Sequence, residues 1–216
     1  MSIDQEKKLA ADRAAQLIEP GMRVGLGSGT TVAYLLEAIA RRGVEAHYVA
    51  TSRLTETSAR SLGIVVDTFD EFDALDLAID GADQITPEGW LVKGRGGAHL
   101  REKIVAASSR RFVVIADSSK RVTSLHPPVP LELRPFGLRA TLRELGSVTL
   151  RDVERSPDGG VLADFHGDFD EPRALERRLS STPGVSAHGL FAPSLVSDII
   201  VATGKTVTTT TLGGQR

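Results

Sequence analysis

Cysteine is absent from the 216 residues. That excludes disulfides, thiolate metal sites, iron–sulfur clusters and cysteine nucleophiles, and it suits a reducing compartment. No apolar run approaches the ~20 residues of a membrane-spanning helix. The N-terminal stretch MSIDQEKKLAADRAAQ is too polar for a secretory signal, so a cytoplasmic protein without membrane contact is expected. An excess of one charge is also lacking. Lys and Arg number 26 against 28 Asp and Glu, a formal net charge of −2, and no bulk positive field points to nucleic acid. Aromatic residues are only 5%, whereas glycine is plentiful at 21, which suggests many tight turns, some of them able to approach a ligand.

The length suggests one large domain, or one domain with a small companion. Asp4 can cap a helix over 4–19, which Pro20-Gly21 ends. Arg23–Leu26 reads as a short buried strand, followed by a glycine-rich turn and a helix with Val32, Leu35, Leu36 and Ile39 on one face. Strands follow at 44–50, 64–69, 75–79 and 112–116, with helices near 53–62 and around Leu100, Ile104 and Ala107. Short apolar strands alternating with amphipathic helices predict a parallel α/β sheet. After His126-Pro127-Pro128-Val129-Pro130 the order becomes strand, helix (138–145), strand (148–153), strand (161–166), helix (172–182), strand (185–191). That order resembles a ferredoxin-like unit. The expected architecture is α/β: a Rossmann-like parallel-sheet domain of residues 1–128 plus 203–216, and a small α+β, ferredoxin-like domain of residues 129–202. The segments 199–203 and 207–211 are candidates to return to the first domain.

Four constellations can carry chemistry. Gly25-Leu26-Gly27-Ser28-Gly29-Thr30-Thr31 lies between a strand and a helix, where free N–H groups and hydroxyls suit an anion. Thr30 stands where a dinucleotide fingerprint needs its third glycine, and no Walker lysine follows. What remains is a cradle for one phosphate or a plain strand–helix turn, with Lys7 as a candidate counter-charge. Asp80-Gly81-Ala82-Asp83 ends a buried strand, where open α/β sheets bind ligands; an Asp turn capping the next element is the bland alternative. Lys93-Gly94-Arg95-Gly96-Gly97 ends a strand and leads into a helix bearing Glu102. The alternatives there are a snorkelling lysine and an acid that favours a helix N-terminus. Ala116-Asp117-Ser118-Ser119-Lys120 repeats the strand-then-turn pattern. The five histidines are scattered and read as structural or surface residues, and no zinc motif is present.

Together these pieces resemble one family, ribose-5-phosphate isomerase type A, from Lys7 to about Thr203. Its phosphate loop is met by Gly25–Thr31, its D-G-A-D motif by Asp80–Asp83, and its K-G-x-G…R-E-K segment by Lys93–Lys103. Ala116–Lys120 meets its A-D-x-S-K turn, and Pro183-Gly184-Val185…Gly189-Leu190-Phe191 its later signature. The resemblance implies an aldose–ketose isomerase interconverting ribose 5-phosphate and ribulose 5-phosphate, with no metal or organic cofactor, in a homodimer or homotetramer. It implies that Glu102 is the general base and that Asp80 helps open the sugar ring. Asp83, Lys93 and Lys120 would hold the sugar oxygens and the enediolate. Ser28, Gly29, Thr30, Thr31 and Lys7 would hold the phosphate, and the backbone at Gly94 and Gly96 would approach the substrate.

The sequence departs from the family pattern in three places. Gln84 stands where glutamate is usual, Arg95 breaks the glycine run, and Ser156-Pro157-Asp158-Gly159-Gly160 replaces a T-D-N-G segment. The alternatives are a related sugar-phosphate enzyme such as an aminosugar-phosphate deaminase, an acyl-CoA transferase of related fold, and a non-catalytic sugar-phosphate-binding effector module. The effector module would need the phosphate loop but not Glu102, Lys93 and both aspartates together.

Overall fold

Ser2 and Gln5 form a reciprocal capping box that starts α1 (Ile3–Ala15), so Ser2 caps the helix rather than Asp4. The S-x-x-Q spacing carries that signal: the Ser2 hydroxyl accepts from the Gln5 N–H while the Gln5 amide oxygen accepts from the Ser2 N–H. The computed structural model describes residues 1–214; residues 215 and 216 of the expected first domain lie outside the described residues. Ala10, Ala11, Ala14 and Ala15 are fully buried, and their small side chains allow close helix approach. The guanidinium of Arg42 donates to the carbonyls of Ala15, the last residue of α1, and of Ile18 just after it.

The chain divides into two compact units. The first comprises Met1–Ala82, Arg101–Lys120 and Pro193–Arg216. Its strands are β1 (Arg23–Leu26), β2 (His47–Ala50) and β3 (Leu77–Asp80). Later in the chain come β6 (Phe112–Asp117), β12 (Asp198–Thr203) and β13 (Thr206–Thr211). They form one sheet in the order β13-β12-β6-β3-β1-β2, parallel throughout except for the antiparallel edge strand β13. Helices α2 (Thr30–Arg42) and α3 (Arg53–Ser61) follow β1 and β2. The core unites Ala10, Ala14, Leu35, Ile39, Ile79 and Ile115. Sheet order reverses at β1, whose neighbours are β2 and β3. The carboxyl ends of β1 and β3 therefore flank a topological switch point, where doubly wound sheets bind ligands.

The second unit comprises Asp83–Leu100 and Arg121–Ala192. Its main sheet uses β7 (Val129–Leu133), β8 (Val148–Leu150), β9 (Val161–Phe165) and β10 (Val185–His188). Helix α5 (Leu138–Leu145) follows β7, and α6 (Pro172–Ser181) follows β9. The chain order is βαββαβ, and the spatial order β10-β7-β9-β8 is antiparallel throughout. This is the ferredoxin-like arrangement, closed over Leu131, Leu133, Phe165, Leu175 and Leu179.

A three-stranded sheet of β4 (Gln84–Ile85), β5 (Leu91–Val92) and β11 (Leu190–Phe191) completes the second unit. Three expected boundaries move, one of them by residues 121–128 joining the second unit. Residues 83–100 join the second unit because β5 pairs with both β4 and β11. Residues 193–202 leave it because β12 pairs with β6 over five residue pairs. One expected strand is missing: residues 64–69 make a single bridge, Val66 to Tyr48, before the chain turns away. Helix α4 (His99–Ala107) begins at the end of the glycine segment and carries Glu102 in its first turn.

Candidate active site

In the first unit the site is built on the ends of β1 and β3. Asp80 is the last residue of β3 and only 3% exposed. One carboxylate oxygen, Oδ1, accepts from the N–H of Ser28 at 3.0 Å and of Gly81 at 2.7 Å. Glycine is required at 27: a Cβ there would lie 1.9 Å from Asp80 Cγ and 2.0 Å from Oδ1. The Thr55 hydroxyl donates to the Gly27 carbonyl at 2.8 Å, which holds the loop from its other side.

The Ser28 hydroxyl donates to Glu102 Oε1 at 2.6 Å, a short charge-assisted bond. Glu102 is 4% exposed. One residue thus grips both predicted catalytic carboxylates of this unit, Asp80 through its backbone and Glu102 through its side chain. The sequence suggested only a phosphate role for Ser28. Beyond it, Gly29 precedes α2, which has no side-chain cap and no acid in its first turn. Thr30 is exposed and Thr31 buried at that helix start. The arrangement favours an anion, because uncapped N–H groups carry partial positive charge.

Two predicted lysines of this unit occupy different settings. Lys7 reaches Asp4 at 3.3 Å as an i,i+3 pair on α1. Lys120 ends a 3₁₀ turn over Ser118–Lys120. Asp117 starts that turn, accepting from the N–H of Ser119 at 2.9 Å and from its hydroxyl. Glu6 fastens the same turn, accepting from the Ser118 hydroxyl at 2.6 Å and N–H at 2.9 Å. It also accepts from the Gly204 N–H at 2.7 Å. The Ser118 hydroxyl, then the Gly204 N–H, hold the Glu6 carboxyl below its ordinary value of 4.5, against the opposing effect of burial. Sequence reasoning missed Glu6 because its partners lie 112 and 198 residues away.

In the second unit, Asp83 Oδ2 accepts from the N–H of Arg95 at 3.1 Å, with the Arg95 Nε 3.8 Å from Oδ1. Lys93 is 3% exposed, and its ammonium lies 5.5 Å from the centre of the Phe191 ring. Its backbone N–H donates to Gly189 at 2.8 Å. Gly94 adopts φ +101°, and a Cβ there would strike His99 at 2.7 Å. Fully buried His99 is thus a packing residue at this point, in keeping with the structural reading of the histidines. Gly96 has open space around its Cα.

The departures from the family pattern have local explanations. The Gln84 amide donates to the His126 carbonyl at 2.8 Å and accepts from its N–H at 2.9 Å. A carboxylate could not make the first of these bonds. Ser156 occupies the turn between β8 and β9, where its hydroxyl donates to Glu132 at 2.7 Å. Arg95 is 84% exposed along its side chain, and its backbone serves Asp83. Among the described residues no cluster of three or more His, Cys, Asp or Glu is arranged for a metal ion. No helix of theirs is long and apolar enough to cross a membrane.

Residues 47–206 match the family model for ribose 5-phosphate isomerase A (phosphoriboisomerase A). The chain belongs to that family. It is 40% identical to ribose-5-phosphate isomerase A of Bradyrhizobium diazoefficiens over 95% of each chain. The crystal structure of ribose 5 phosphate isomerase A from Neisseria gonorrhoeae superposes with a TM-score of 0.92 at 31% identity, covering 97% of each chain. A D-ribose-5-phosphate isomerase in complex with phospho-erythronic acid gives 0.90 at 33% identity, covering 98% of this chain and all of that one. The α/β architecture with a smaller second unit is therefore that of the family.

Proposed function

We propose that this chain interconverts D-ribose 5-phosphate and D-ribulose 5-phosphate by carboxylate-mediated proton transfer through an enediolate. The observation that carries the reading is the bond from Ser28 to buried Glu102, beside an Asp80 carboxylate fixed by two N–H groups. A base that must give its proton back needs a carboxyl group held in one place, and Glu102 is so held.

In the reaction as written, Asp80 assists opening of the sugar ring. Glu102 takes the C2 proton of the open-chain aldose, and the electron pair moves onto the C1 carbonyl to give the enediolate. A proton passes from O2 to O1, and Glu102 returns its own proton to C1. The two transfers balance without a metal or organic cofactor. Developing oxyanion charge calls for a cation or donor; Lys93 supplies it, with Asp83 and Lys120 on the sugar hydroxyls. The phosphate is assigned to Gly29, Thr30 and Thr31 at the start of α2, with the Ser28 side chain before it and Lys7 of α1 as the counter-charge. The backbone at Gly94 and Gly96 borders the sugar. Family membership also supports a homodimer or homotetramer in the cytoplasm, which light scattering of the purified protein and cell fractionation would test.

The deciding experiment follows ribulose 5-phosphate formation from ribose 5-phosphate with chelator present, for the wild type and Glu102→Gln. Glu102→Gln should lose ~10²–10⁴-fold in kcat with its fold intact. Unchanged turnover would remove Glu102 as the base. A wild type that binds the phosphosugar without turning it over would instead favour the effector module.

A further inference from the structure

Arg151 lies just beyond β8 and was no part of any motif. Its side chain is 16% exposed, and its guanidinium is engaged on two sides. Nε and Nη2 clasp Asp164 side-on, at 2.9 and 2.7 Å. Nη1 donates to two successive backbone carbonyls, those of Gly94 at 3.1 Å and Arg95 at 3.0 Å. Asp164 sits on β9 within the antiparallel sheet, so the fork is anchored to a rigid element of the same unit.

The two carbonyls set more than their own positions. A trans peptide is planar, with its C=O and N–H pointing opposite ways. Fixing the Gly94 carbonyl on Arg151 therefore aims the Arg95 N–H away from it, and there Asp83 Oδ2 accepts that N–H. Fixing the Arg95 carbonyl likewise fixes the direction of the Gly96 N–H, at a position assigned to the substrate. The segment is held at its ends by other means. Lys93 N–H bonds to Gly189, and Leu162 packs where a Cβ on Gly97 would be, 2.5 Å away. In the middle, Gly94 has a conformation few residues adopt; its carbonyl takes a turn bond from the Gly97 N–H at 3.0 Å, and the Arg95 carbonyl next to it is met by Arg151.

We propose that Arg151, oriented by Asp164, is a positioning residue for the isomerase reaction: it sets two consecutive peptide planes and through them the Asp83 carboxylate and the Gly96 N–H. This rests on the substrate role given above to Asp83. A guanidinium is required because one rigid plane must present a paired edge to a carboxylate and a third nitrogen to two carbonyls, which an ammonium cannot do.

The test uses the full chain and measures kcat and KM for ribose 5-phosphate in Arg151→Ala, Arg151→Lys, Asp164→Asn and Asp83→Asn, with thermal unfolding alongside. Misplacement by about 1 Å costs about 10²-fold, so Arg151→Ala should lose about that in kcat/KM, and added guanidinium ion should restore part of it. Arg151→Lys keeps the charge and the stem and should still lose about tenfold. Asp164→Asn should weaken turnover less, and the Arg151→Ala/Asp164→Asn pair should be no worse than Arg151→Ala alone, as for residues acting in one network. Should Arg151→Ala fail to fold, Arg151→Lys decides: wild-type kinetics in that variant overturn the proposal. Impaired Asp83→Asn beside unimpaired Arg151 variants overturns the positioning role alone. Unimpaired Asp83→Asn overturns the role of Asp83 and the proposal with it.

Discussion

Replacing Ser28 with alanine separates two roles for one side chain. The substitution removes the hydroxyl that donates to Glu102 at 2.6 Å and keeps the N–H that holds Asp80. A hydrogen bond to a charged group is worth about 1.5–3 kcal/mol, which corresponds to about 10- to 150-fold in rate if all of it orients the base. The loss is partly offset, since a hydroxyl donating to a carboxylate tempers it as a base. Regaining about half of the energy through Brønsted behaviour leaves a net fall of about 3- to 12-fold in kcat. KM should stay near the wild-type value, and Ser28→Thr, which keeps a hydroxyl, should retain most of the activity. Steady-state conversion of ribose 5-phosphate gives both constants. A large rise in KM with unchanged kcat would refute the reasoning: the hydroxyl would then serve the phosphate, as the sequence alone suggests.

Two further substitutions probe the frame around it. Gly27→Ala forces a Cβ to within 2.0 Å of Asp80 Oδ1, so the carboxylate must move by about 1 Å or more and kcat/KM should fall about 10²-fold. Gly96→Ala, where a Cβ meets nothing within 4 Å, is the matched control for folding, compared by thermal unfolding. Glu6→Gln should lower stability at neutral pH. The Glu6 carboxyl is held below 4.5 in the folded protein, so its contribution is present above that pH and is lost as pH falls through the folded value. Denaturant unfolding of both proteins across pH should show a gap that is widest near neutrality and closes in acid; a constant gap would contradict the charge-based account.

Local pattern explains why much of the fold is legible in the chain. The run Arg23–Leu26, the glycine loop and the helix face of Leu35 and Ile39 are all short-range features. Asp80 is likewise placed by the apolar run that ends on it. The βαββαβ order of the second unit is visible because helices of clear period separate β7 from β8 and β9 from β10. What escaped detection is non-local. The two-residue strands β4, β5 and β11 are too short to show alternation and exist because they pair with one another. Residues 64–69 have strand composition, with Val65 exposed between buried Ile64 and Val66, yet only one residue finds a partner strand. The grip of Ser28 on Glu102 spans 74 residues, and that of Arg151 on Gly94 spans 57. Neither spacing forms a motif.

The order in which the chain leaves the ribosome has a consequence for this sheet. β12 fills the place between β6 and β13, and the Gly204 N–H that meets Glu6 lies in the turn after it. Helix α1 and the β12–β13 hairpin are therefore joined only after residue 204 has been made. Until then β6 exposes an unpaired strand edge, the kind of surface that invites misassembly. A chain stopped at residue 192 would lack β12 altogether, so a nonsense mutation there should yield a product prone to aggregation and proteolysis rather than a slightly weakened enzyme.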